Sequence, residues 1–286
     1  PRYMERLNAQ RDVCRYWALN PHPTMIPLIE TGYIKAIHSF GSEPGMADYI
    51  AARKDVFFTD ANGVLKSNRP FCQLIGHYAV DCFVGATLQI DAYGNSSTFI
   101  EGRIAGFGGA PNLGSNPLGQ RHFSPACIKA GLEGQDSSDN PCLRGKKLVV
   151  QVTPTVGGKK KTPVFVDELD AHKFYKNKTL PYPPVMIYGD DVTHIVTEKG
   201  IAYLLRCASV EQRYSAIRAV AGETPVGRYE RSADTDLLRR KHIVAYPEDL
   251  GISRDRARRD LLAAQTISDL VKISGGRYQP PARFRS

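Results

Sequence analysis

The sequence predicts an α/β fold, an open mixed sheet covered by helices, and three observations carry that prediction. Short β-branched and aromatic runs recur between residues 33 and 196, segments with helical spacing lie between and after them, and 25 Gly with 19 Pro supply turns throughout. At 286 residues the chain is long enough for one large domain or two small ones to bury a full core without disulfide staples. With 42% hydrophobic and 23% charged residues, disorder, collagen and coiled coil are excluded.

The elements follow in order. Met4, Leu7, Val13, Tyr16 and Trp17 sit among charges with the spacing of an amphipathic helix, which ends at Asn20-Pro21-His22-Pro23. A short helix is expected over residues 25–30, with its stop at Gly32, and then a strand over 33–40. Residues 56–59 read as a short buried strand closed by Asp60-Ala61-Asn62-Gly63, a turn that favours positive φ at its end. Residues 80–91 form a β-rich run, broken by Asp91-Ala92-Tyr93-Gly94-Asn95 into a hairpin with 97–104 as the returning arm. Residues 147–153, 164–166, 185–188 and 192–196 supply further strands. Ser209 and Gln212 have the spacing of a capping box for a helix to Val220, stopped by Gly222. Ser253 opens a helix expected to run to Ile273, its stripe of Leu261, Leu262, Ile267, Leu270 and Val271 packing on the parent sheet. The tail Tyr278-Gln279-Pro280-Pro281 reads as extended.

The formal net charge of +9 attracts anions without naming one. Much of it is local, in Lys159-Lys160-Lys161 and in Arg254, Arg256, Arg258 and Arg259, which read as solvated faces. No aromatic interleaving or known module points to nucleic acid, and no apolar run reaches the roughly 20 residues that a bilayer requires. Six scattered cysteines without a CxxC pair, and histidines without ligand spacing, support neither a zinc site nor a disulfide framework, so a reducing, cytoplasmic protein with no bound metal is expected.

The densest chemical signal is Gly102-Arg103-Ile104-Ala105-Gly106-Phe107-Gly108-Gly109-Ala110-Pro111-Asn112-Leu113-Gly114. A strand entering such a run exposes backbone N–H groups, which is how a chain holds an oxyanion or a phosphate. Taken alone, the glycines are explained more simply as a tight turn, and the spacing of a nucleotide-phosphate loop is absent. Glu43 and Glu198 each lie in a glycine-flanked loop and read as a general base or a plain loop carboxylate; Asp190-Asp191 stands where a strand ends and a turn is capped. His38, His77, His122 and His194 lie in or beside apolar strands and read as structural.

The combination is more specific than its members. Residues 85–95 (Gly-Ala-Thr-Leu-Gln-Ile-Asp-Ala-Tyr-Gly-Asn), followed by Gly106-Phe107-Gly108-Gly109-Ala110-Pro111-Asn112, resemble the paired signature of the coenzyme A transferase superfamily, and residues 192–202 resemble its later strand-turn segment. Thr59-Asp60-Ala61-Asn62-Gly63 with Ser67-Asn68-Arg69, Asn95-Ser96-Ser97-Thr98 and residues 184–191 are most similar to the malonate decarboxylase alpha subunit family. The resemblance runs from about Trp17 to Gly227. It implies a subunit about twice this length built from two related α/β halves, of which this chain, opening on Pro1, is the second. Residues 1–227 are then a coenzyme A transferase-like domain and 228–286 a helical extension packed on it.

Covalent members of the superfamily have a Ser-Glu-Asn-Gly turn whose glutamate becomes a thioester. The comparable turn here carries Ala61, which cannot form an acyl intermediate. The resemblance therefore implies exchange by positioning: the acetyl thioester of an acyl carrier protein, on a coenzyme A-like prosthetic arm, meets malonate, and a mixed anhydride passes the thiol from acetyl to malonyl. Backbone N–H groups of Gly108, Gly109 and Ala110 are the expected oxyanion donors. Asn62, Gly63, Gly106, Asn112 and Glu43 are expected to contact the acyl or pantetheine part, with Arg69 as a carboxylate clamp. The expected partners are the N-terminal half of the same subunit, the carrier protein, decarboxylase subunits and malonate, with no cofactor bound directly, no nucleic acid and no membrane. The other readings are a short-chain acyl coenzyme A transferase or thioester hydrolase, and a non-catalytic half that scaffolds the carrier protein.

Overall fold

The computed structural model describes residues 15–39, 41–65, 82–100, 103–105, 110–114, 148–158, 161–176, 182–229, 232–253, 255, 264 and 266–284. The chain divides into two compact units, Pro1–Pro70 with Arg254–Ser286, and Phe71–Ser253.

The first unit is built on a small parallel sheet. Strand β1 (Tyr16–Ala18) pairs with β2 (Ala36–His38) in the register Trp17↔Ile37, and Phe57 adds a parallel bridge to Ile37. Tyr16 and Trp17 are thus extended rather than the end of a helix. Lys35 N donates to Arg15 O (2.9 Å) and Leu19 N to His38 O (3.1 Å), so pairing with a strand twenty residues on decides the conformation of a segment whose aromatics suit a pleated surface. Residues 1–14, the rest of the expected opening helix, lie outside the described residues. Helix α1 (Ile26–Glu30) follows a 3-10 turn at Pro23–Met25, and α2 (Ala47–Ala52) joins β2 to Phe57. Residues 56–59 contribute single bridges, through Phe57 and Thr59, instead of a full strand. Ile26, Ile29, Ile34, Ile37, Met46, Ile50 and Phe57 form the core, and each is at most 2% exposed.

The late helix does not run unbroken from Ser253 to Ile273: Asp255 is helical, and a separate helix begins after Thr266. Thr266 Oγ1 accepts from Asp269 N (3.1 Å) and Asp269 Oδ2 from Thr266 N (2.9 Å), a capping box that starts α7 (Ile267–Ile273). Ala264 is not helical. Ile267, Leu270 and Val271 pack on the core of the first unit; Leu261 and Leu262 lie outside the described residues.

The second unit holds a five-stranded mixed sheet, spatial order β13-β12-β11-β8-β3, from β3 (Cys82–Gly85), β8 (Leu148–Val152), β11 (His194–Val196), β12 (Ile201–Tyr203) and β13 (Val244–Ala245). Val84, Val150 and His194 align across the three parallel strands, β12 runs antiparallel to β11, and β13 antiparallel to β12. The expected run 80–91 splits: Gly85 ends β3 in the sheet, and β4 (Gln89–Ile90) turns back through Asp91-Asn95 to pair with β5 (Ser96–Ser97). Phe165 and Ile187 join by single bridges, to Ile90 and Ser96, instead of forming strands of their own. Two further short hairpins are β6 (Phe99–Ile100) with β7 (Arg103–Ile104), and β9 (Val156–Gly157) with β10 (Thr162–Pro163).

Helices α3 (Ala110–Leu113) and α4 (Asp170–Lys176) precede α5 (Val210–Val220), which lays Ala216, Ile217 and Val220 into the cluster of Val149, Ile195 and Ala202 under the sheet. Ser209 Oγ caps α5 by accepting from Gln212 N (3.2 Å), while Gln212 Oε1 accepts from Ala208 N (2.7 Å), one residue earlier than a regular capping box. Helix α6 (Ser232–Arg240) leads into edge strand β13. The extension expected from residue 228 onward is thus shared: 228–253 completes the second unit and 254–286 the first.

Candidate active site

In open α/β sheets ligands gather at the carboxyl ends of parallel strands. In the first unit β2 ends in the loop that carries Glu43. Buried Ser39 donates its hydroxyl to Gly41 O and accepts from Gly41 N (3.2 Å), which folds the chain back as it leaves the strand. Glu43 N donates to Pro21 O (3.4 Å), Met46 N to Glu43 O (3.2 Å), and Met46 is fully buried ahead of α2. The Glu43 carboxylate itself is exposed.

The Asp60–Gly63 turn is organised by one carboxylate. Asp60 Oδ1 accepts from Asn62 N and from Val64 N, both at 2.9 Å, and Gly63 N donates to Asp60 O (3.1 Å). Gly63 has φ +80° and lies against Ala51 in the last turn of α2. The backbone donors of Asn62 and Gly63 are therefore spent inside the turn, and the exposed Asn62 side chain is what the turn presents outward. Glu43 precedes the first turn of α2, so the helix, about 9 Å long, separates the two groups. Ala61 is exposed and its carbonyl accepts from Lys54 Nζ (2.9 Å).

In the second unit, Gly106, Gly108, Gly109 and, in the first, Arg69 lie outside the described residues, as does the side chain of Asn112. Ala110 opens α3, half-buried against the sheet core, and accepts from Gly114 N (2.8 Å).

The motifs of the second unit act on each other. Asp91 Oδ1 accepts from Tyr93 N (2.9 Å) and Asn95 N (3.0 Å), and Asp91 Oδ2 from Asn95 Nδ2 (3.0 Å); burial still pushes this carboxyl above its ordinary value. Asn95 Oδ1 then accepts from Gly189 N (2.9 Å), and Arg213 donates to Gly189 O and to Val192 O (3.3 Å). Residues 91–95 and 188–191, both part of the resemblance, thus form a clasp between two turns. Arg213, which closes it from α5, carried no signal in the sequence beyond its helical position.

Glu198, expected as a base or loop carboxylate, is held by Thr155, whose N–H (2.9 Å) and hydroxyl both donate to it. Burial alone pushes the Glu198 carboxyl up, but the two bonds from Thr155, with Lys199 alongside, bring it below the ordinary value. A depressed carboxylate contributes stability that is present above its unfolded value of about 4.3 and is lost as pH falls through the folded one. Glu198→Gln is accordingly expected to cost about 1 kcal/mol at neutral pH, kept small by the exposure of the carboxylate. In urea denaturation that difference should hold from pH 7 to about pH 5 and shrink below it toward pH 3.5.

Two of the flagged histidines, His38 and His194, are among the described residues. His38 stacks on Phe58 at 6.3 Å and burial lowers its pKa; His194 Nδ1 lies 2.9 Å from Thr193 Oγ1, with burial and then Arg206 lowering its pKa. His77 and His122 lie outside the described residues. Among the described residues no group of three His, Cys, Asp or Glu side chains is placed to hold a metal ion, and no helix is long and apolar enough to cross a membrane.

The family described as malonate decarboxylase, alpha subunit, transporter, matches residues 1–286. The chain belongs to the malonate decarboxylase alpha subunit family. It is 52% identical, over 99% of its length, to the acetyl-S-ACP:malonate ACP transferase of Malonomonas rubra, of which it covers 51%. Its fold matches a chain of a Pseudomonas malonate decarboxylase hetero-tetramer in complex with malonate, at 53% identity and TM-score 0.82, covering 99% of this chain and 51% of that one. The alpha subunit from Acinetobacter baumannii matches with the same identity and TM-score, over 99% of this chain and 52% of that one. The chain therefore spans about half the length of these family members. The expected α/β mixed sheet is the fold shared with these family members, and Ala61 stands in the Asp60–Gly63 turn.

Proposed function

We propose that this chain is the C-terminal half of a transferase that exchanges acetyl for malonyl on the thiol of an acyl carrier protein, the step that readies malonate for decarboxylation. The observation that carries the reading is 52% identity over nearly the whole chain to an acetyl-S-ACP:malonate ACP transferase. The malonate carboxylate attacks the acetyl carbonyl of the acetyl-carrier, and the thiolate leaves, giving an acetyl–malonyl anhydride. The thiolate then attacks the malonyl carbonyl, and acetate departs with the bridging oxygen. Both nucleophiles are anions already, so no base is needed, and the work of the protein is positioning and oxyanion stabilisation.

The side chains favour this route over one through an acyl-enzyme. Asp91 and Glu198 spend both carboxylate oxygens on internal donors, Asp60 spends its Oδ1 on two, and Ala61 has no carboxylate to offer. Gly108, Gly109 and Ala110 are assigned as oxyanion donors, Gly106 and Asn112 as neighbours of the acyl group, and Arg69 as the malonate clamp. With the donors of Gly63 spent in its turn, Asn62 contacts the arm through its side chain. Exposed Glu43 would repel malonate, so its carboxylate is assigned to the amide N–H groups of the coenzyme A-like arm of the carrier, the only cofactor group in the reaction. The N-terminal half of the subunit, the carrier protein and decarboxylase subunits complete a cytoplasmic assembly.

The test mixes the chain, with and without the N-terminal half, with acetyl-carrier and isotopically labelled malonate, and weighs the carrier. Malonyl-carrier should form only when both halves are present. Carrier that binds but stays acetylated in both mixtures would replace the transferase by a scaffold.

A further inference from the structure

The two ends of the first unit meet on the loop that carries Glu43. Ser274, buried at the end of α7, donates its hydroxyl to Val271 O (2.8 Å) and accepts from Tyr278 N (3.0 Å), which turns the chain back after the helix. Tyr278 is thereby driven into the core, 5% exposed, and its hydroxyl donates to Pro44 O at 3.1 Å. Gln279 follows so closely over Gly45 that a Cβ there would lie 2.4 Å from Gln279 O and 2.9 Å from the Tyr278 ring. Gly45 also has φ +87°, so a glycine is required there twice over, by its conformation and by the tail that crosses it. Arg277 anchors the same segment through Glu30 Oε2 (2.9 Å). The backbone bonds of the loop itself, at 3.4 Å from Glu43 N and 3.2 Å to Glu43 O, are long by comparison.

We propose that residues 274–279 are a strap that sets the position of Glu43 at the substrate, with Tyr278 as the positioning residue. This rests on the assignment of Glu43 to the arm of the carrier. Pro44, whose carbonyl Tyr278 holds, is bonded directly to Glu43, so loss of that bond shifts the carboxylate and leaves the distant parts of the first unit in place. Fixing a contact group in advance acts on binding of the acetyl-carrier and spares malonate.

The experiment uses the full-length subunit, acetylated carrier and malonate, with Tyr278→Phe, Glu43→Gln and the double variant. Tyr278→Phe keeps the ring in the core and removes only the hydroxyl. It is expected to raise KM for acetyl-carrier roughly three- to tenfold, the range of one net hydrogen bond. KM for malonate should not change, the rise should vanish in the Glu43→Gln background, and the amides of residues 41–46 should exchange faster. Unchanged KM in Tyr278→Phe, or an equal rise in both backgrounds, would overturn the proposal. If Glu43→Gln alone transfers normally, the assignment of Glu43 fails and positioning fails with it. Faster amide exchange in Tyr278→Phe would then identify the strap as an element of the fold only.

Discussion

Gly189→Ala is expected to destabilise the second unit by about 3–5 kcal/mol and to lower its Tm by roughly 10 °C. A Cβ at this position would lie 2.0 Å from Tyr93 O, 2.9 Å from Tyr93 C and 3.1 Å from Gly94 C, all backbone atoms that no rotamer change can move. The two turns must part. Parting them strains Gly189 N to Asn95 Oδ1 (2.9 Å), the neighbouring Ser96 N to Ile187 O (2.8 Å), and the guanidinium of Arg213 that spans Gly189 O, Val192 O and Leu204 O. Asp91, already buried, would lose the neighbour that keeps the Asn95 amide in place to donate to it. Urea denaturation followed by circular dichroism measures the loss, and faster amide exchange in residues 89–97 and 185–192 would locate it. A cost below 1 kcal/mol would mean that the two turns do not depend on each other.

The second large effect is expected at Glu30. Its Oε1 accepts from Tyr49 Oη (2.8 Å) and Arg53 Nη1 (2.7 Å), and its Oε2 pairs with Arg277 (2.9 Å), so one carboxylate joins the end of α1, the end of α2 and the C-terminal segment. Burial, and then the Glu30 carboxylate, raise the Tyr49 phenol well above its ordinary value, which keeps it a donor that needs an acceptor. Glu30→Ala leaves that buried hydroxyl and two guanidinium groups without their shared partner, while Arg53 retains Asp55. The expected cost is about 2–3 kcal/mol, and Glu30→Gln, which keeps an acceptor but not the charge, should lose about half of it. Trp17, the one tryptophan of the chain, packs on this core, so its fluorescence reports the unfolding of the first unit. A Glu30→Ala midpoint equal to that of the parent chain would remove Glu30 from the account of this unit.

How much of this was legible in the sequence depends on how local the deciding contact is. Helix α5 is readable because its cap, Ser209 with Gln212, lies within four residues, and strands β8 and β11 because they are short runs rich in β-branched residues. The Asp60–Gly63 turn was readable for the same reason. Tyr16 and Trp17 are extended despite their helical spacing because a partner strand twenty residues away outweighs it. The Thr266 cap is present in the sequence as Thr-x-x-Asp, inside a longer apolar stripe that reads as one helix. The site was harder, since its side chains are committed by long-range partners: Asn95 to Gly189, Thr155 to Glu198, and Tyr278 to Pro44 across 234 positions. Glu198, read in the sequence as a base or a loop carboxylate, is engaged with Thr155, and no local pattern distinguishes that use from catalysis.

The central claim is direct exchange with no acyl-enzyme, and the first turnover tests it most directly. The reconstituted two-half subunit, in excess over acetyl-carrier, would be given malonate labelled with 18O in both carboxylates, and the acetate from that single turnover weighed. In direct exchange the bridging oxygen comes from malonate, so the first acetate should carry one 18O. Unlabelled acetate from that turnover would show that an enzyme carboxylate takes the acetyl group first, and would contradict the account.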